Sequence, residues 1–191
     1  EKLEENLEAF DSGPGNCMID EWVRKNSKNN FDHSGSIAKS GKINQLILNK
    51  AIDNFNIDSF DKSLDVKDFD ISFLRGLSLE DGCATITNFT AYLISKGVEY
   101  ANDNNNKLIQ YLVCGGGRKN NFLMQNIKNY LSHKKNISLS SIDDYDYNGD
   151  FIESQAFGYL AIRSFLNLPI SYPKTTGCEV PTVGGKLVEN F

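Results

Sequence analysis

Apolar residues recur at helical spacing in five stretches of the chain and form short continuous runs in two others. In "NCMIDEWVRKNSKN" residues Met18, Ile19, Trp22 and Val23 fall on one helical face. Asn16 stands where an N-cap belongs, and Asp20 and Glu21 fall in early turns where the helix dipole favours acids. "FDHSGSIAKSG" reads as a polar loop. "KINQLILNKAIDNF" repeats Ile43, Leu46, Ile47, Leu48 and Ile52 and predicts a second helix. "NIDSFDKSLDVKDFD" has no sustained period and reads as an irregular connection.

The pattern then predicts a long helix over "LSLEDGCATITNFTAYLISKGVEYA", with Ile86, Phe89, Leu93 and Val98 as its buried stripe. Ser78 and Asp81 have capping-box spacing there, and Gly82 is a mild cost. Residues 102–106 read as a solvated turn. "KLIQYLVCGGG" is a strand meeting three glycines, "NFLMQNIKNYLSH" a helix, "KNISLSS" a strand and "DDYDYNGD" a polar loop. "FIESQAFGYLAIRSFLN" is the last strong helix, with Ala156, Phe157, Leu160, Ala161 and Phe165 on the face expected to be buried. A loop-rich tail punctuated by Pro and Gly follows. Helices alternating with strands give an α/β class.

The length of 191 residues fits one domain with a single core, taken here as residues 1–191. A net charge of −5 argues against nucleic acid or an anionic membrane as partner. No apolar run approaches the roughly 20 residues that span a bilayer. The acidic start "EKLEENLEAF" lacks the apolar core of a signal peptide. The four cysteines, Cys17, Cys83, Cys114 and Cys178, form no CxxC pair and suit reduced thiols in the cytoplasm. His33 and His133 sit in polar stretches without a ligand pattern, so both are expected at the surface and no metal site is expected from them.

Two stretches concentrate the candidate chemistry. In "AFDSGPGN" the carboxylate of Asp11 immediately precedes a sharply turning Ser-Gly-Pro-Gly run. Such an acid either projects into a cleft, where it can accept a proton, or simply forms an Asx-turn or cap. In "YLVCGGGRKNN" a strand ends in Gly115, Gly116 and Gly117 before a helix, an arrangement that brings backbone N–H groups against a phosphate or nucleotide. The spacing is neither GxGxxG nor GxxxxGK[ST], so neither a dinucleotide fold nor a P-loop fits. A tight turn without ligand is the plain alternative. Glu153, at a helix start, reads first as dipole compensation. Thr175 and Thr176 beside Gly177 read first as an ordinary loop.

Taken in order, "AFDSGPGNCMIDEW", "DKSLDVKDF", "LSLEDGCATITNFTA", "VCGGGRKNNFLMQNI", "IESQAFGYLAIR" and "LPISYPKTTG…PTVGG" resemble the C-terminal half of the anhydro-N-acetylmuramic acid kinase family. The resemblance implies one lobe of an actin-like, sugar-kinase and Hsp70-type ATPase fold, with a ribonuclease-H-like mixed sheet and flanking helices. It implies use of ATP and Mg²⁺ to open the ring of 1,6-anhydro-N-acetylmuramic acid with water and phosphorylate O6. The product would be N-acetylmuramic acid 6-phosphate, an intermediate of peptidoglycan recycling.

By the same resemblance Asp11 is the catalytic base, and Gly13, Asn16 and Glu153 contact the sugar. Gly115, Gly116, Gly117, Arg118 and Asn120 lie at the nucleotide. Where many members read "PPKSTGRE", this chain keeps only Lys62 and Ser63, so no substrate contact is assigned there. Nothing resembles the family's phosphate-gripping "GTSxDG" loop, so the chain is expected to be a fragment partnered by an N-terminal lobe in cis or in trans, which would hold most of the Mg²⁺. A homodimer is compatible with the resemblance. The competing expectation is a non-catalytic remnant or nucleotide-binding module of the same fold.

Overall fold

The computed structural model describes residues 7–55, 60, 63–102 and 107–188, which form two compact units. One is Asp11–Gly149, and the other consists of the described residues of Glu1–Phe10 and Asp150–Phe191.

The larger unit is built around its longest helix. Its helices are α1 (Cys17–Asn26), α2 (Ser36–Ser40), α3 (Gln45–Asn54), α4 (Leu79–Ala101) and α5 (Asn121–Leu131). Its strands are β1 (Ile109–Val113) and β2 (Ile137–Ser141). In α1 the residues that turn inward are Met18, Ile19, Trp22 and Val23, as the spacing predicts. In α3 the expected stripe shifts: Leu48 and Ala51 are buried while Leu46 is 69% exposed.

α4 is apolar on more than one face. Besides Ile86, Phe89, Leu93 and Val98 it buries Cys83, Ala84, Thr85, Thr87, Thr90 and Ala91, because α1, α2, α3 and α5 all pack against it. A helix covered on several sides carries few charges along its middle. Ser78 caps it, its Oγ accepting from the Asp81 N–H at 3.1 Å, but the box does not close. The Asp81 carboxylate accepts instead from the Lys42 N–H at 2.7 Å, which ties the 41–42 connection to the helix start. Gly82 has a positive reason to be there, since a Cβ would collide with the Trp22 indole, whose Nε1 donates to the Leu79 carbonyl at 3.0 Å.

β1 and β2 pair in parallel, with Ile109 opposite Ile137 and Val113 opposite Ser141, and α5 connects them. Tyr111, Ile137 and Leu139 pack with Ala91, Val98, Leu123, Ile127 and Leu131 into a second core cluster. The expected mixed sheet is therefore, among the described residues, a small parallel one; the other unit separately holds an isolated antiparallel bridge between Ser171 and Thr182. The "FDHSGSIAKSG" stretch, expected to be a loop, is a 3-10 turn (His33–Gly35) followed by α2. Asp32 organises it: its two carboxylate oxygens accept from the Ile37 N–H at 2.8 Å and the Ala38 N–H at 2.9 Å. Of the turn expected over 102–106, residues 103–106 lie outside the described residues, and Asn102 is buried.

The smaller unit holds α6 (Ile152–Phe165) and α7 (Pro173–Thr176). The apolar face expected to be buried on α6 is not: Phe157 is 65% and Phe165 69% exposed, Ala156 and Ala161 are exposed, and Leu160 is half-buried. The buried residue of α6 is Arg163, whose guanidinium donates to the Pro169 carbonyl at 2.7 Å, Tyr172 Oη at 2.8 Å and Tyr159 Oη at 3.1 Å. A buried cation is tolerable because these three oxygens replace its water. Among the described residues no helix is long and apolar enough to cross a membrane.

Candidate functional site

Asp11 stands at the edge of the larger unit on the turn that leads into α1. Its Oδ2 accepts two hydrogen bonds, from Ser63 Oγ at 3.1 Å and from the Leu64 N–H at 2.9 Å. Both donors come from a segment more than fifty positions away in sequence. They fix the rotation of an exposed carboxylate while leaving Oδ1 without a partner among the described residues. Ser63, given no role from sequence, is thus a support of the proposed base; Lys62 lies outside the described residues. Behind Asp11, Gly13 lies so close to α4 that an added Cβ would stand 3.0 Å from Leu93 Cβ. Gly15 adopts φ +56°, and the Cys17 N–H returns to the Pro14 carbonyl at 3.1 Å.

Asn16 occupies the N-cap position of α1 but does not cap with its side chain. Its backbone is already helical (φ −84°, ψ −7°), whereas a capping residue typically takes extended angles. Asn16 Oδ1 is instead buried with no hydrogen-bond partner, about 3.9 Å from where a Cβ on Gly117 would lie. A buried acceptor left unpaired is uncommon in a native fold and calls for an explanation.

The glycine turn follows β1. Gly115 has φ +75° and ψ −178°, a conformation essentially reserved for glycine, and Cβ atoms at Gly115 or Gly116 would meet nothing within 4 Å. The turn therefore presents bare main chain to open space. Asn120 caps α5, its Oδ1 accepting from the Leu123 N–H at 3.0 Å. Arg118, expected at the nucleotide, directs its guanidinium inward. Nε donates to Asp143 Oδ2 at 2.5 Å, Nη2 to Asp143 Oδ1 at 3.1 Å and Nη1 to the Gly115 carbonyl at 2.8 Å.

Asp143 also accepts from Ser141 Oγ at 2.7 Å and from the Gly149 N–H at 3.0 Å. Gly149 has no room for a side chain, since a Cβ would collide with the Arg118 guanidinium. The Arg118 hydrogen bonds, followed by those from Gly149 and Ser141, hold the Asp143 carboxyl well below the usual carboxylate range. A carboxyl whose proton affinity falls on folding stabilises the fold fully above its ordinary value of 3.8, and that contribution is lost as pH falls below it. Asp143→Asn should consequently lower the urea midpoint at pH 6 while flattening its fall between pH 5 and pH 3. Parallel acid profiles for the two proteins would dismiss this latch.

A cavity of about 400 Å³ opens beside the glycine turn. Asn16 and Asp20 line one side, residues 31–34 another, and Gly116, Lys119 and Asn120 a third. The structure thus brings three sequence-predicted residues, Asn16, Gly116 and Asn120, to one cavity with Gly117 at its edge. Asp11 and Gly13 lie on the preceding turn and do not line it. Glu153 is in the first turn of α6, exposed, in the smaller unit. Burial pushes the Asp20 carboxyl up, Arg24 opposing and Asp32 adding to the shift. The 31–34 segment carries no motif, so its part in the cavity had no signal in sequence beyond Phe31 and His33 standing close together. His33 and His133 are both exposed, as expected. Among the described residues no group of three His, Cys, Asp or Glu side chains could hold a metal ion.

Comparison with known proteins supplies a family. The family model for anhydro-N-acetylmuramic acid kinase matches residues 2–190. The chain is 50% identical over 193 residues to the anhydro-N-acetylmuramic acid kinase of Pelagibacter ubique, with all of this chain and 51% of that protein aligned. It is 38% identical to that of Zymomonas mobilis (96% of this chain, 49% of the relative) and 39% identical to that of Caulobacter vibrioides (96% and 48%). The chain spans about half the length of the curated relatives it matches. With the match running over nearly every residue, the chain belongs to the anhydro-N-acetylmuramic acid kinase family.

Proposed function

We propose that this chain is the C-terminal lobe of an ATP-dependent anhydro-N-acetylmuramic acid kinase, one half of an actin-like, sugar-kinase type ATPase fold working in cytoplasmic peptidoglycan recycling. The observation that carries the reading is the Asp11 carboxylate, fixed through Oδ2 by Ser63 and Leu64, with Oδ1 open among the described residues. A base must be held in one orientation and still offer a lone pair, and this arrangement does both.

Oδ1 of Asp11 would accept a proton from the water that attacks the anomeric carbon of 1,6-anhydro-N-acetylmuramic acid. The C1–O6 bond breaks, and the departing O6 takes the γ-phosphoryl group of ATP, giving N-acetylmuramic acid 6-phosphate and ADP. This joins the base half of inverting glycoside hydrolysis to an in-line phosphoryl transfer. Gly13 and Asn16 on the same turn are the proposed sugar contacts of this unit.

The chain's residues fit a nucleotide at the glycine turn. Gly115 and Gly116 expose main chain without side chains, which lets a ligand lie against the backbone. Arg118 serves there by holding the turn through Asp143 and the Gly115 carbonyl. When bound, Mg²⁺ would offset charge on the phosphates, and it would be held mainly by the N-terminal lobe, as would the γ-phosphate. A homodimer is compatible with this arrangement.

ADP release coupled to an optical readout, with the anhydro-sugar present, tests the proposal. The 191 residues alone should give no turnover, and the protein joined to an N-terminal lobe should give sugar-dependent ADP release. A folded, joined protein without such release would leave the non-catalytic module as the better reading. Turnover by the 191 residues alone, surviving further purification, would show that the second lobe is dispensable.

A further inference from the structure

We infer that Ser63 and, at one remove, the Asp65–Asp68 pair are positioning residues for Asp11, setting which of its carboxylate oxygens faces the reaction. The inference rests on the reading of Asp11 as the base given above and adds what aims it.

An exposed aspartate needs such help because its last torsion is soft. The terminal χ2 of Asp is broad and roughly two-fold, so a carboxylate left alone sweeps both oxygens through a wide arc. Asp11 is exposed, yet two donors from adjacent residues converge on its Oδ2, Ser63 Oγ at 3.1 Å and the Leu64 N–H at 2.9 Å. Donors to an sp² oxygen prefer the plane of its group, so two on one atom fix a rotation that one would leave loose.

The donors aim the base only if they are held themselves. Directly after Leu64 the chain closes a reciprocal capping box around a single 3-10 turn, Val66–Asp68. The Asp65 carboxylate accepts from the Lys67 N–H at 3.1 Å, and Asp68 Oδ2 accepts from the Asp65 N–H at 2.6 Å. That second bond fixes the peptide joining Leu64 to Asp65, the neighbour of the peptide that donates to Asp11. The turn is moored in its turn. Phe69 stacks on Phe55 with centroids 5.3 Å apart, and Phe55 meets Phe89 of α4 edge-on at 5.8 Å. Contacts therefore run without a break from the core around α4 to Asp11 Oδ2.

The box falls where this chain departs from the "PPKSTGRE" pattern, reading Leu64, Asp65 and Val66 in place of Thr-Gly-Arg. Asp65 stands at the glycine of that pattern, and a glycine has no carboxylate with which to close a box. The departure thus carries its own means of holding the segment that meets the base.

Steady-state kinetics of the protein joined to an N-terminal lobe, with ATP and the anhydro-sugar, test the inference. Ser63→Ala should lower kcat about tenfold and leave KM within about twofold, because aim is lost and binding is not. Ser63→Thr, which returns the hydroxyl, should recover most of that loss. Asp68→Ala should lower kcat by about threefold or more, whereas Asp68→Asn keeps an acceptor for the Asp65 N–H and should not. Ser63 and Asp68 are both exposed, so neither alanine leaves a cavity in the core. In an Asp11→Asn background Ser63→Ala should cost nothing further, since no base remains to be aimed. Full additivity of those two changes, or kcat within twofold of wild type for both Ser63→Ala and Asp68→Ala, overturns the inference and leaves Asp11 as the base. Near-normal turnover by Asp11→Asn alone overturns both.

Discussion

Replacing Asp11 by Asn, in the protein joined to an N-terminal lobe, should lower turnover by about 10²-fold or more, the usual scale for losing a general base. The geometry makes the substitution unusually clean. Asn presents an oxygen where Oδ2 lies, so the bonds from Ser63 Oγ and the Leu64 N–H survive and the turn keeps its shape. The change falls on the other atom: the open Oδ1 becomes an NH₂ group, which donates and cannot take a proton from water. ADP affinity should stay within about twofold, because Asp11 does not border the cavity beside the glycine turn. Steady-state ADP release and calorimetry on the same preparation measure the two quantities. Near-normal turnover would make Asp11 a turn-forming acid, a role in which Asn substitutes well.

Gly35→Ala is expected to destabilise the larger unit by about 3 kcal/mol. Two penalties add. An alanine at φ +73° sits in the left-handed region, which costs roughly 1–2 kcal/mol. Its Cβ would also collide with Asn120 Oδ1 and lie 2.6 Å from Phe122 Cβ and 3.0 Å from the Phe122 backbone nitrogen, and such overpacking costs about 1–3 kcal/mol. Neither neighbour can yield easily, since Asn120 caps α5 and Phe122 packs against the main core. Gly15→Ala supplies the control. Its φ is also positive, at +56°, but a Cβ there meets nothing within 4 Å, so only the backbone penalty applies. Urea midpoints of the two variants should therefore differ clearly, with Gly35→Ala the lower. Equal midpoints would mean that the α5 start moves aside at little cost.

What could be read from the sequence follows the range of the interactions. The stripe Met18, Ile19, Trp22 and Val23 was legible because a helix face is set by residues three and four apart. The strand, glycine turn and helix from Ile109 to Leu131 were legible for a similar reason: a short apolar run, three glycines and a helical period are local signals. Ser63 reaching Asp11 was not, since no local rule joins positions so far apart. Nor was the true partner of Arg118, because Asp143 arrives through the pairing of β2 with β1. The 31–41 stretch misled through composition. Its polar residues resemble a loop, yet Asp32 spends both oxygens on amides of the following helix and is buried in doing so. α6 misled differently: periodicity identifies an apolar face but cannot say whether anything covers it, and here Phe157 and Phe165 face solvent.

The central position of α4 also bears on the order in which the protein can be made. Chains emerge from the ribosome N-terminus first. α1, α2 and α3 are therefore delivered before residues 79–101, the element each of them packs upon. Until that segment appears, Met18, Ile19, Trp22 and Leu48 lack the surface that buries them in the finished fold. The nascent chain carries a patch of waiting apolar side chains through that interval, and a pause in translation just upstream of Leu79 would prolong its exposure to aggregation.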